Sequence, residues 1–176
     1  KPLGLNHPQA MMMIEAAREK GVFFMEAFMY RCHPQTDKLV ELIKSEVIGE
    51  VRMIKAAFGF GGGHTINAES RTLNKGLGGG GILDVGCYPV SMSRLIAGVT
   101  MGKPFANPTA VAGGGQVGET GVDEWAAAVL TFGNGIIAQV STAGRVSPNN
   151  SLEIYGSDGS ITVPNPWVAN RVDPEI

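Results

Sequence analysis

Cysteine, aromatic rings and charge are all scarce in this chain. Only two cysteines occur in 176 residues, and Cys32 and Cys87 match neither a disulfide framework nor a zinc-binding spacing. A reducing, cytoplasmic setting and no metal site are therefore expected. Lys and Arg number 14 against 16 Asp and Glu, for a formal net charge of -2. Without a basic cluster, nucleic acid is excluded as the main partner. Charged residues make up 17% and hydrophobic ones 44%, a balance that builds a sizeable core and argues against disorder. No apolar run is read as approaching the ~20 residues of a membrane helix, so no membrane partner is expected. There is no initiator Met before Lys1, so any targeting segment is out of view. The chain stops at Pro174-Glu175-Ile176, shortly after the loop-like Pro164-Asn165-Pro166-Trp167, and both ends look cut.

Glycine is abundant instead, with 25 residues, and two literal dinucleotide fingerprints appear. Gly76-x-Gly78-x-x-Gly81 precedes a helix but follows Leu73-Asn74-Lys75, which is no buried strand. Gly113-x-Gly115-x-x-Gly118 follows a strand but leads toward another strand, with no helix start to face a pyrophosphate. Neither has an acidic residue about twenty positions on for a ribose hydroxyl. Both fail on context, and close backbone packing or a flexible loop explains them better.

Patterning gives a coarse element order. Asn6 and Gln9 form a capping box, Ala10, Ile14 and Ala17 repeat at helical spacing, and Gly21 stops the helix. Val22 to Met25 has the length of a buried strand. A second helix starts at Pro34, buries Leu39, Leu42 and Ile43, and is ended by Gly49. Val51 to Phe60 alternates as a strand, with an irregular glycine-rich stretch from Gly61 to Gly81 after it. Ile82 to Ala97 reads as helix, with a kink or restart near Tyr88 forced by Pro89. Thr109–Ala112, Trp125–Phe132, Ile136–Thr142, Leu152–Tyr155 and Ile161–Val163 read as strands, with hairpin turns at 133–135 and 156–159. The fold class is α+β: an open, mostly antiparallel, meander-like sheet with helices on one face.

Asp84 and Tyr88 are four residues apart, which on an α-helix places them on one face. The glycine run 78–81 just before them lets a backbone approach a ligand closely. By itself this pair is weak, because an Asp near a helix start also serves the macrodipole and a Tyr is often packing.

Three stretches resemble one family in the right order. Gly78-Gly79-Gly80-Gly81-Ile82-Leu83-Asp84-Val85-Gly86-Cys87-Tyr88-Pro89 resembles the core motif of the glucose-fructose oxidoreductase / inositol dehydrogenase (Gfo/Idh/MocA) family. Glu26-Ala27-Phe28-Met29-Tyr30-Arg31-Cys32-His33-Pro34 is similar to that family's crossover between domains, and Lys1-Pro2 to the end of its Glu-Lys-Pro motif. The branch most resembled is that of dihydrodiol dehydrogenase and glucose-fructose oxidoreductase. The resemblance implies that residues 1–29 are the last helix and strand of a Rossmann domain. Residues 30–176 would then be a substrate-binding and oligomerisation domain, incomplete at its C-terminus. It implies hydride transfer between NADP or NAD and a sugar, cyclitol or diol alcohol. Tyr88 would be the proton donor and acceptor, Lys1 its assistant between nicotinamide ribose and substrate, and Asp84 a pocket acid. Lys1 and Pro2 would be the only cofactor contacts, so tight dinucleotide binding and turnover by this stretch alone are not expected.

The chemistry fits such a division. A free tyrosine, pKa ~10, is a poor base at neutral pH, and a shift of ~2 units takes ~2.7 kcal/mol, which a nearby ammonium can supply. Arg31 and His33 stand at the domain crossover as candidate substrate ligands, or alternatively as an interface ion-pair partner and a helix-start residue. His7 and His64 fit surface roles. Because both faces of the 125–132 strand can be apolar, a homodimer or higher homo-oligomer through the sheet is expected. A non-catalytic binding or oligomerisation module of the same fold is the competing expectation.

Overall fold

The computed structural model describes residues 2–61 and 67–168. Helix α1 spans His7–Glu19, with Asn6 Oδ1 accepting from Gln9 N–H and Gln9 Oε1 accepting from Leu5 N–H. The box predicted from Asn6 and Gln9 thus forms, its second arm reaching one residue further back. Ala10, Ile14 and Ala17 are only half-buried, and no residue of α1 is buried.

Val22 to Met25 is not a strand. The segment pairs with no strand among the described residues: Val22 N–H donates to Ala17 O at the end of α1, and Phe23 is 88% exposed. Strand propensity reports fit to a pleated, half-buried surface, and no neighbouring strand lies beside these residues among those described.

A 3₁₀ turn, Met29–Cys32, leads into α2, Pro34–Lys44, with Pro34 at the first position where a missing N–H costs nothing. The helix ends five residues before Gly49, through Ser45 and the positive-φ residue Glu46. The predicted helix over 82–97 is in two parts: a π turn, Ile82–Gly86, and α3, Cys87–Thr100. Cys87 N–H reaches back to Ile82 O, five residues earlier. Pro89 supplies the reason, since its ring crowds the carbonyl four residues before it and it has no N–H to give. The wider turn absorbs that misfit.

Six strands follow the predicted positions: β1 Val51–Gly59, β2 Pro108–Val117, β3 Asp123–Phe132, β4 Ile137–Ala143, β5 Leu152–Gly156 and β6 Ser160–Val163. Their order is β2-β3-β4-β1-β5-β6. β1 runs parallel to β4, and the other four pairings are antiparallel. The sheet is therefore mostly antiparallel but not a meander, because β1 inserts between β4 and β5. Ile54 and Ala56 are fully buried there, as suits the most apolar position in the sheet.

β2 extends five residues beyond its predicted end, through Gly113-Gly114-Gly115. Gly113 pairs with Ala128 and Gly115 with Ala126, and a Cβ on Gly113 would sit 2.8 Å from that of Ala128. The second fingerprint is a close strand pairing, not a loop.

Helices α2 and α3 cover one face, where Leu39, Ile43, Met92 and Ile96 meet Ile54, Leu130, Ala138 and Ile154. Each such large apolar side chain contributes about 1.5–3 kcal/mol by leaving water. The other face is open, with Trp125, Val129 and Ile137 each more than one-third exposed. Contrary to the expectation of no long apolar run, Lys75–Thr100 is long and apolar enough to cross a membrane by length and composition. It is broken into three helical pieces and most of it is buried in the protein, as in the core helix of a globular domain.

Candidate functional site

The glycine run Gly78–Gly81 crosses the ends of β3 and β4 and delivers the chain into the π turn. Gly80 has φ 109°, a backbone shape that side chains rarely adopt, and the Asp123 carboxylate occupies the space a Cβ there would need. Asp123 Oδ2 accepts from Ile82 N–H at 2.7 Å. On the other side the buried Thr142 hydroxyl donates to Gly81 O at 3.0 Å. The first fingerprint thus does face an anion at a helix start, but the anion is the chain's own carboxylate.

The turn so held carries Asp84, which is 8% exposed. Its Oδ1 accepts from Arg71 Nη1 at 2.9 Å. Asp84 lines a cavity of about 190 Å³, with Ser70, Thr72, Asp123, Glu124 and Arg145 among its polar walls and Phe60 and Leu73 among its apolar ones. Arg145 Nε lies 3.9 Å from Glu124 Oε1. The carboxylates of Asp84, Asp123 and Glu124 and the Arg145 guanidinium offer acceptors and donors in one small volume. That suits a neutral ligand rich in hydroxyl groups.

Tyr88, one turn on, is in other surroundings. It is 3% exposed, and its ring centroid lies 5.1 Å from Phe58, 5.3 Å from Phe28, 5.6 Å from Tyr30 and 5.9 Å from Trp167. The contacts are mostly edge-to-face, the arrangement that aromatic quadrupoles prefer. Trp167 closes the group, its Nε1–H donating to Ala57 O at 2.7 Å. Burial pushes the Tyr30 phenol above its ordinary pKa, with the Ser91 side chain offsetting part of the rise. The shared pocket expected for Asp84 and Tyr88 is corrected here. Four-residue spacing presumed a regular α-helix, whereas the π turn separates the two. The short carboxylate then reaches Arg71 while the large ring packs on Phe58.

Lys1 lies outside the described residues, as does His64. Pro2 is exposed, and Leu5 packs against Gly78, which brings the N-terminal stretch beside the glycine run. His33 is the N-cap of α2, its Nδ1 accepting from Gln35 N–H at 3.2 Å. Arg31 lies 6.0 Å from the Tyr30 ring centroid. Neither is among the residues around the Asp84 cavity: at the domain crossover His33 starts a helix and Arg31 stands over a ring. His7 opens α1 and is exposed. Among the described residues no group of three or more His, Cys, Asp or Glu side chains is placed to hold a metal ion.

Arg71, Asp123 and Thr142 were not singled out by the sequence. Arg71 lies in the irregular stretch, and Asp123 and Thr142 act on residues 41 and 61 positions away. No local pattern signals such contacts.

Residues 36–162 match the family described as the GFO/IDH/MocA C-terminal domain. The chain is 36% identical over 165 residues to trans-1,2-dihydrobenzene-1,2-diol dehydrogenase of Xenopus laevis, covering 94% of this chain and 47% of that protein. It is 32% identical over 174 residues to D-xylose 1-dehydrogenase (NADP(+)) 2 of Haloferax volcanii, covering 99% and 50%. The chain therefore spans about half the length of these relatives. Among solved structures, the 3-ketoreductase KijD10 of Actinomadura kijaniata, in complex with NADP and TDP-benzene, is similar with a TM-score of 0.79 at 27% identity, covering 96% of this chain and 49% of that one. An aldose-aldose oxidoreductase from Caulobacter crescentus, complexed with glycerol, shares the fold with a TM-score of 0.81 at 22% identity, covering 97% and 49%.

Proposed function

The chain belongs to the GFO/IDH/MocA family through that family's C-terminal domain, and on this premise we propose that it is the substrate-binding part of an oxidoreductase. The reaction is hydride transfer between NADP or NAD and a secondary alcohol of a sugar, cyclitol or diol. The observation that carries this reading is the nearly buried Asp84 carboxylate, paired with Arg71 and lining a cavity with Asp123, Glu124 and Arg145 beside the N-terminal stretch. Relatives named as diol and xylose dehydrogenases support the substrate class, and the NADP complex of a ketoreductase supports the cofactor.

The described residues offer no cradle for dinucleotide phosphates, because Asp123 fills one glycine run and β2 absorbs the other. A bound nicotinamide supplies only the hydride exchange. This chain's residues handle the alcohol: Asp84 orients hydroxyl groups, and the Tyr88 phenol, with Lys1 as its assistant, exchanges the hydroxyl proton. Tyr88 is walled by Phe28, Tyr30, Phe58 and Trp167, so its reaction requires that wall to part on substrate binding. Residues 1–29 are read as the end of a dinucleotide-binding domain and 30–176 as the substrate domain. The apolar faces of Phe23 and Met25, exposed here, support that boundary.

NADP reduction by the full-length gene product, measured with a trans-dihydrodiol, xylose and inositol, tests the activity. Turnover with at least one is expected, and none with any would overturn the reading. The 176-residue chain alone is expected to bind NADP weakly and turn over nothing, and tight fluorescence quenching by NADP would contradict that.

A second reading, a non-catalytic binding or oligomerisation module, is favoured by the burial of Tyr88 and by the open sheet face. Both readings share self-association through that face. Sedimentation of the full-length product with Val129→Lys, against wild type, separates an interface from a free surface.

A further inference from the structure

We propose that Asp123 is a positioning residue for Asp84, acting from the start of β3 through the glycine run to fix the turn on which the pocket carboxylate stands. The proposal rests on the reading of Asp84 given above. Three observations carry it. Asp123 Oδ2 accepts from Ile82 N–H, the first amide of the π turn, at 2.7 Å. The same carboxylate fills the space above Gly80 and lies 3.1 Å from a Cβ position on Gly81. Asp84 N–H donates to Gly80 O at 3.0 Å, so the residue that Asp123 overlies is also the residue from which the backbone of Asp84 hangs.

The arrangement has a physical logic. A π turn is rare, occurs mostly as a single turn within a helix, and persists where the surroundings over-determine it. A carboxylate at its start meets unsatisfied N–H groups and the positive end of the helix that continues into α3. Thr142 holds the run from the opposite side, through Gly81 O. The two clamps come from adjacent strands, β3 and β4, so the pocket acid is referenced to the sheet and not to the irregular stretch before it. Asp123 also lines the cavity, so the group that sets the position of Asp84 stands within the same small volume.

The test compares Asp123→Ala and Asp123→Asn. Asn keeps an acceptor for Ile82 N–H and approximately the volume, while Ala keeps neither. In the 176-residue chain, amide hydrogen exchange read by NMR at Ile82, Leu83 and Asp84 is expected to quicken about tenfold or more in Asp123→Ala and little in Asp123→Asn, with the amides of β1 and β4 unchanged. A uniform rise across the sheet, or no rise at 82–84, would overturn the proposal. If Asp123→Ala does not fold, Asp123→Asn against Asp123→Leu, similar in size but without an acceptor, gives the same contrast at the same amides. In the full-length product, Asp123→Ala is expected to lower kcat by about 10- to 100-fold with a smaller change in KM, since displacing a reacting group by about 1 Å has effects of that size. Unchanged kcat beside an active wild type would remove the link to Asp84. An inactive wild type would instead sink the catalytic reading and leave the exchange result standing.

Discussion

Asp84 and Tyr88 stand one turn apart on a continuous stretch of chain, yet the protein treats them as residents of two different regions. Around Asp84, which Arg71 pairs with, the chain gathers Asp123, Glu124 and Arg145 about an open cavity. Around Tyr88 it gathers Phe28, Tyr30, Phe58 and Trp167 with almost no exposure. Shared sequence spacing does not imply shared environment when the turn between two residues is not α-helical. In the function proposed above, one side receives hydroxyl groups and the other holds a phenol that must be uncovered before it meets them.

The sharpest way to break this contrast is Tyr88→Phe. The ring packing survives and only the hydroxyl leaves, so stability is expected to change little while turnover of the full-length product falls about 10²- to 10⁴-fold, the usual contribution of one proton-transfer group. Steady-state kinetics beside a thermal melt decides it, and unchanged turnover makes the aromatic region purely structural. Next in size is Trp167→Ala, which removes the lid of the cluster and its bond to Ala57. It is expected to destabilise the chain by about 3–5 kcal/mol in urea unfolding, without altering the Arg71–Asp84 pair, whose carboxylate is observable by carbon NMR. Loss of that pair would mean that the two regions are coupled.

Arg71→Ala should cost less, about 1 kcal/mol, because the guanidinium is two-thirds exposed to solvent. The difference from wild type should shrink in 1 M salt, and a salt-independent loss would mean that packing, not charge, holds Asp84. The smallest effect is expected at alkaline pH. Burial raises the Tyr30 phenol above its ordinary value, so above about pH 10 the unfolded chain ionises before the folded one and stability falls as pH rises. Tyr30→Phe should flatten that limb, and an unaltered limb would assign it to other groups.

Much of the fold was legible because its signals are local. The capping box at Asn6, the helix start at Pro34, the restart imposed by Pro89 and the turns at 133–135 and 156–159 each depend on a few neighbouring residues. What could not be read depends on distant ones. β1 lies between β4 and β5 because of burial across the whole sheet, and Val22 to Met25 stays unpaired because propensity cannot supply a neighbour. Asp84 was visible through the glycine run ahead of it. Arg71, Asp123 and Thr142 were not, since nothing near an arginine, an aspartate or a threonine states which turn it will hold. His33 was legible as a helix-start residue from the proline after it, and that alternative is the one the structure favours.

The uncovered stretch at 22–25 has a practical consequence for anyone handling this polypeptide by itself. Four consecutive apolar residues, with Phe23 almost fully in water and no strand paired with them among the described residues, make a template on which another molecule's strand can add. Preparations of the isolated chain should therefore self-associate in a concentration-dependent way and be nicked early by chymotrypsin-like proteases at Phe23 and Phe24. Replacing Phe23 with Lys should lengthen the shelf life of such samples.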